Sequence, residues 1–309
     1  MGLQVYSHRA ARRLGMAALV CFFGMAAAGR AESPNPLFDF QSDTLTATFR
    51  AEYSGVGDAT VNVDIPYGLD DAQKYDVYLP AQRSSAPVIV MVHGGDWASG
   101  DKQDSNVAEA KAGYWVAKGF IFVSINYRLL PKKDPLVQAA DVALAIADVQ
   151  KNAANWSADK RKIVLMGTGA GGHLAALLSS NPSLATDQGA QTWAAAVVLE
   201  TPALNIPAIM SADHDAAYDT AFGTNVEFWE DSSPSHLVAA SGLPMLVVCS
   251  SVSDTDSCAK ANAFASSADN SGVDITVSPQ ALSSADINSK LGVSASYSNT
   301  VADYINSVL

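Results

Sequence analysis

The chain has 309 residues, of which 49% are hydrophobic and only 16% charged, so it can bury one large core and lacks the composition of a disordered protein. Its net charge of −12 argues against nucleic acid or an anionic membrane surface as a partner, because both demand basic patches.

In chain order, residues 1–31 come first and read as a secretory signal peptide. His8, Arg9, Arg12 and Arg13 form a basic head, "LGMAALVCFFGMAAAG" is an apolar run too short for a comfortable bilayer span, and Ala26 to Ala31 offer small-residue cleavage sites. The sequence therefore predicts an exported, periplasmic or secreted protein with no integral membrane span after cleavage. Cleavage after Ala31 would remove Arg9, Arg12, Arg13 and Arg30 and no acid, leaving residues 32–309 more acidic still.

That remainder reads as a single domain. "TLTATFRAEY" and "ATVNVDI" alternate apolar and polar residues as half-buried antiparallel strands do, and "KYDVYLP" is a third. The pattern then changes to continuous apolar runs, "APVIVMVHGG", "FIFVSINYRL", "KIVLMGTG", "AAAVVLE" and "LPMLVVCSS", as in strands covered on both faces, with "DITVSPQ" as the last strand. Helical periodicity fills 106–118, 135–153, 170–179, 258–271 and 297–308. Alternating strands and helices predict an α/β fold: a doubly wound, mostly parallel sheet with antiparallel N-terminal edge strands. Residues 201–243 hold short polar and aromatic pieces between two strands and read as a cap or lid-like insertion over the carboxyl ends of the sheet, where such folds bind ligands. Only Cys249 and Cys258 remain after cleavage, and export favours a disulfide between them.

Four stretches carry chemistry: "HGGDWASGDK", "NYRLLP", "GTGAGGH" and "CSSVSDTDSC", each following a buried strand. Together they resemble the α/β-hydrolase fold, specifically the secreted or periplasmic carboxylesterases and lipase-like enzymes with an HGG oxyanion motif. That resemblance implies a G-x-S-x-G elbow whose serine stands above the sheet, followed along the chain by an acid and then a histidine. Here Gly167 and Gly171 hold the glycine positions, so the nucleophile position is Gly169, which has no side chain to offer. Against the family pattern L-S-H-x-x-I-N, the loop "LSSADINSKLG" puts the base position at Ser284. The acid position falls on Asp256, with Asp254 as second choice, although Asp256 also reads as a solvated carboxylate or helix cap. The backbone N–H groups of Gly95 and Ala170, with Gly94 beside them, are the implied oxyanion or ligand-binding donors.

The remaining candidates read as structural. His93 shapes the oxyanion loop and His173 packs in the core. Trp97, Tyr127, Arg128 and the Asp101/Lys102 pair secure the surrounding loops. Asp213, His214, Asp215 and Asp219 form a solvated acidic loop, so no metal is expected, and no cofactor is implied. The resemblance implies an esterase homologue with a degenerate triad, inactive as a hydrolase, that binds a small ester or carboxylate ligand or a protein partner. One alternative is an active carboxylesterase or lipase-type hydrolase using non-standard residues such as Thr168, Asp256 or a serine of "LSSAD"; another is a remnant whose pocket is filled with side chains.

Overall fold

The computed structural model describes residues 59–309; the expected signal peptide over 1–31 and the strand expected in "TLTATFRAEY" lie outside the described residues. Eight strands form one sheet in the order β1-β2-β4-β3-β5-β6-β7-β8. They are β1 Thr60–Pro66, β2 Lys74–Leu79, β3 Ala86–Val92, β4 Ile121–Ile125, β5 Ala158–Thr168, β6 Ala195–Leu199, β7 Met245–Ser250 and β8 Ile275–Gln280. β1 pairs antiparallel with β2 and β2 with β4, and every later pairing is parallel. This is the mostly parallel sheet with an antiparallel N-terminal edge that the run pattern predicts.

The helices are α1 Glu109–Ala117, α2 Pro135–Asn152, α3 Ala170–Ser180, α4 Ser183–Thr186, α5 Ile206–Met210, α6 Ala216–Phe222, α7 Val226–Asp231, α8 Pro234–Leu237, α9 Ser257–Asp269, α10 Ser284–Lys290 and α11 Ala295–Val308. Period-2 side chains divide the core between the two faces of the sheet. On β3, Val88, Val90 and Val92 pack in one cluster with Val142 and Ile146 of α2 and Leu174 of α3. Ile89 and Met91 pack in the other with Trp115 of α1 and Val301 and Ile305 of α11. Every residue of α3 is buried, which explains why "AGGHLAALLSS" is apolar all round rather than along one stripe.

Three elements depart from the sequence reading. β5 begins four residues early because its polar start, "ADKR", still pairs at Ala158 with Ala86 of β3. The first expected helix starts at Glu109 rather than at residue 106, since the segment before it is taken up by turns onto Asp101 and Asp104. The segment read as a loop after β8 contains α10, which has one buried apolar residue, Ile287, and so no helical period to detect. Its start is set by Ser283, whose hydroxyl accepts from the Asp286 N–H as an N-cap.

Cys249 and Cys258 are joined by a disulfide, which ties the end of β7 to the first turn of α9. Closing so short a loop restricts the unfolded chain by an amount worth roughly 2–3 kcal/mol. Replacing both cysteines by alanine is therefore expected to lower the unfolding free energy by that much in chemical denaturation; a value within experimental error of the wild type would contradict it.

Candidate functional site

The site lies where β5 turns into α3. Gly169 forms that turn with φ 53° and ψ −118°, a conformation that costs residues other than glycine about 1–3 kcal/mol. A Cβ placed there would meet nothing nearer than Gly94 Cα at 3.9 Å, so position 169 opens onto free space. Gly171, two residues on, is different: its Cβ would stand 2.3 Å from the carbonyl oxygens of Val92 and His93, so only glycine lets α3 close against β3. The close packing of the elbow is thus intact around a position that carries no side chain. Gly169→Ser is expected to fit sterically yet lower the melting temperature, by several degrees for a chain of this size. An unchanged or higher value would remove the strain argument.

Beside the elbow runs the loop that follows β3. Ala98 and Ser99 donate their N–H groups to the Gly95 carbonyl at 3.0 and 2.9 Å, and Asp96 and Trp97 take positive φ angles of 52° and 60°. Trp97 is buried; its carbonyl accepts from the Leu130 N–H and from Gln138 Nε2, and its ring meets Tyr218 and Phe222 of α6 edge-on. The loop is therefore fixed from three sides. Among the described residues the Gly95 and Ala170 N–H groups have no hydrogen-bond acceptor, whereas the Gly169 N–H donates to the Leu199 carbonyl at 3.1 Å. Gly95 and Ala170 are thus left as free donors beside the elbow, and Ala170 opens a helix.

His93 and His173 occupy structural positions. His93 is buried, stacks on Tyr127 at 4.4 Å and bonds the Gly94 carbonyl through Nδ1, and burial pushes its pKa below the usual histidine value. His173 is fully buried between Trp97 Nε1 at 3.2 Å and the Ser232 carbonyl at 2.8 Å, and burial lowers its pKa to about 4. A neutral imidazole bridging an N–H donor and a carbonyl pins α3 to the loop after α7. Among the other loop residues, Lys102 pairs with Asp64 and Asp76, and Arg128 pairs with buried Asp141. His214 bonds Ala212 and Asp219 at the surface, and among the described residues no three His, Cys, Asp or Glu side chains are grouped to hold a metal.

A cavity of about 640 Å³ opens over the elbow, lined by Gly94, Gly95, Thr168, Gly169 and Ser284 among others. The structure thus brings together Gly169, the expected oxyanion loop and Ser284, on a short helix rather than in a loop. It does not bring Asp254 or Asp256 to them. Both are exposed and line a neighbouring cavity under α5 and α6, and Asp256 precedes α9 with a left-handed φ of 51° and no side-chain cap.

The carboxylate that does reach the site is Glu200, immediately after β6, which the sequence reading passed over. Its Oε1 accepts from Ser284 Oγ at 2.7 Å, and its Oε2 accepts from the Ser250 N–H at 2.6 Å and from Ser257 Oγ at 3.1 Å. Glu200 is buried and holds a positive φ of 44°, a strained backbone of the kind concentrated at functional sites. The available signal was an acid ending an otherwise apolar strand, "AAAVVLE"; its partner lies 84 residues away.

The chain is similar to several known proteins. The BD-FAE family model matches residues 75–265. Kynurenine formamidase of Danio rerio is 32% identical over 119 residues, 38% of this chain and 38% of that protein. Carboxylesterase NlhH of Mycobacterium tuberculosis is 35% identical over 136 residues, 43% of this chain and 40% of that protein. The chain thus spans about two fifths of the length of these curated relatives. Among solved structures, a truncated carbohydrate esterase from gut microbiota superposes with a TM-score of 0.68 at 19% identity, covering 80% of this chain and 95% of the other. Esterase 2 of Thermogutta terrifontis does so with a TM-score of 0.63 at 22% identity, covering 83% and 94%.

Proposed function

The chain belongs to the BD-FAE family, an α/β-hydrolase esterase family, and on that premise we propose that it is a non-catalytic member whose esterase pocket binds a small ester or carboxylate. One observation carries this reading: the elbow position, Gly169, presents no side chain to a cavity that is open rather than filled. In a serine protease used as a yardstick, losing nucleophile or base costs about a millionfold in turnover. Binding depends on neither residue. The Gly95 and Ala170 N–H groups suit a carbonyl oxygen, and the cavity has room for a short acyl chain. Export through a cleaved signal at residues 1–31 belongs to the same proposal, with 201–243 as a cap-like insertion over the neighbouring cavity.

Isothermal titration of the wild type with methyl butyrate and with butyrate tests it. Saturable binding of either, with a dissociation constant in the millimolar range or tighter, is the expected result. Absence of heat and of any thermal shift with both would overturn the small-ligand reading.

A second reading is favoured by the Ser284–Glu200 contact: an alcohol 2.7 Å from a carboxylate is a nucleophile and base in outline. Covalent capture of Ser284 by an organophosphonate would establish it over the first.

A further inference from the structure

Taking the cavity over the elbow as a ligand site, as proposed above, we infer that its ligand carries a protonated amine: the pocket is built for a small amino ester rather than for a carboxylate. Its lining includes two carboxylates, Asp104 and Glu200, and no lysine, arginine or histidine among the described residues. The two free N–H groups at Gly95 and Ala170 can hold one carbonyl oxygen, but a ligand carboxylate would bring a second negative charge beside Glu200 with no cation to offset it.

One acceptor in the wall calls for a donor. Glu200 Oε1 has one partner, the Ser284 hydroxyl, and so retains acceptor capacity. A neutral ester leaves the spare capacity of Glu200 unanswered; an ammonium can answer it with both a hydrogen bond and an opposite charge.

The buried cation held behind the wall does not supply that charge. Lys111 Nζ lies behind the wall, donating to the main-chain carbonyls of Asn106 and Asn288, and burial pushes its pKa down to about 7. It is not among the residues lining the cavity. The chain's net charge of −12 further favours a cationic ligand at long range.

The test is titration calorimetry on the wild type at low salt. Its probes are the methyl esters of 4-aminobutyrate, 5-aminopentanoate and 6-aminohexanoate, each beside the methyl alkanoate of equal length, with butyrate as the anion. At least one amino ester is expected to bind about tenfold or more tighter than its neutral counterpart, with butyrate weakest. Glu200→Gln, checked for its fold by circular dichroism, is expected to bring the amino and neutral affinities together. Neutral esters that bind as tightly as every amino ester would overturn this inference and leave the binding function standing. No binding of any probe would overturn both. An amine preference that survives in folded Glu200→Gln would remove Glu200 from its cause.

Discussion

The double replacement Gly169→Ser with Ser284→His is expected to hydrolyse an activated short-chain ester at least about a hundredfold faster than the wild type, the lower end of what a positioned base contributes. The space above residue 169 admits the hydroxyl, since the nearest heavy atom to a new Cβ is 3.9 Å away. The N–H groups of Gly95 and Ala170 are free to take a developing oxyanion. An imidazole at 284 starts from a backbone position whose present side chain already reaches Glu200 at 2.7 Å. The carboxylate that orients it should therefore be Glu200 and not Asp256, which lines a different cavity. Adding Glu200→Gln to the double variant is expected to remove most of the gained rate, and adding Asp256→Asn to leave it. The reverse pattern would return the acid's role to the loop after β7.

Acid should destabilise the protein through His173. Its neutral ring accepts from Trp97 Nε1 and bonds the Ser232 carbonyl, and full burial depresses its pKa from 6.5 to about 4. The folded protein therefore binds this proton less readily than the unfolded chain. The stabilisation is complete above pH 6.5 and declines as pH falls from 6.5 towards 4, by about 3 kcal/mol in all and about 2 kcal/mol by pH 5. His93, lowered by burial in the same direction, adds to the slope. Chemical denaturation at pH 7.5 and pH 5 should show a larger loss for the wild type than for His173→Gln, whose amide can bridge the same two groups without titrating. Equal losses in the two proteins would mean that the histidine is not the acid-sensitive element.

The sheet was legible because a strand covered on both faces must be apolar throughout; "APVIVMVHGG" and "LPMLVVCSS" could hardly be anything else in an alternating chain. The elbow was legible through Gly167 and Gly171, whose contacts with neighbouring backbone tolerate no larger residue. α10 was not, since six of its seven residues, all but Ile287, lie outside the core and leave no periodic trace. Glu200 was hidden for another reason. Parallel order brings the carboxyl ends of β6 and β7 side by side, so Glu200 meets Ser250, Ser257 and Ser284, none of them near it in sequence. Local spacing cannot report such a junction. The family resemblance placed the acid on Asp256 in the loop after β7, whereas the geometry puts another carboxylate against position 284.

The central claim is that this esterase pocket has lost its chemistry and kept its shape, and it is tested most directly by incubating the purified wild type with an activated organophosphonate and measuring its intact mass. The account predicts an unchanged mass, with the Gly169→Ser, Ser284→His variant gaining one adduct on the hydroxyl introduced at position 169. A stoichiometric adduct on the wild type, mapped to Ser284, Thr168 or any other side chain lining the cavity, would contradict it.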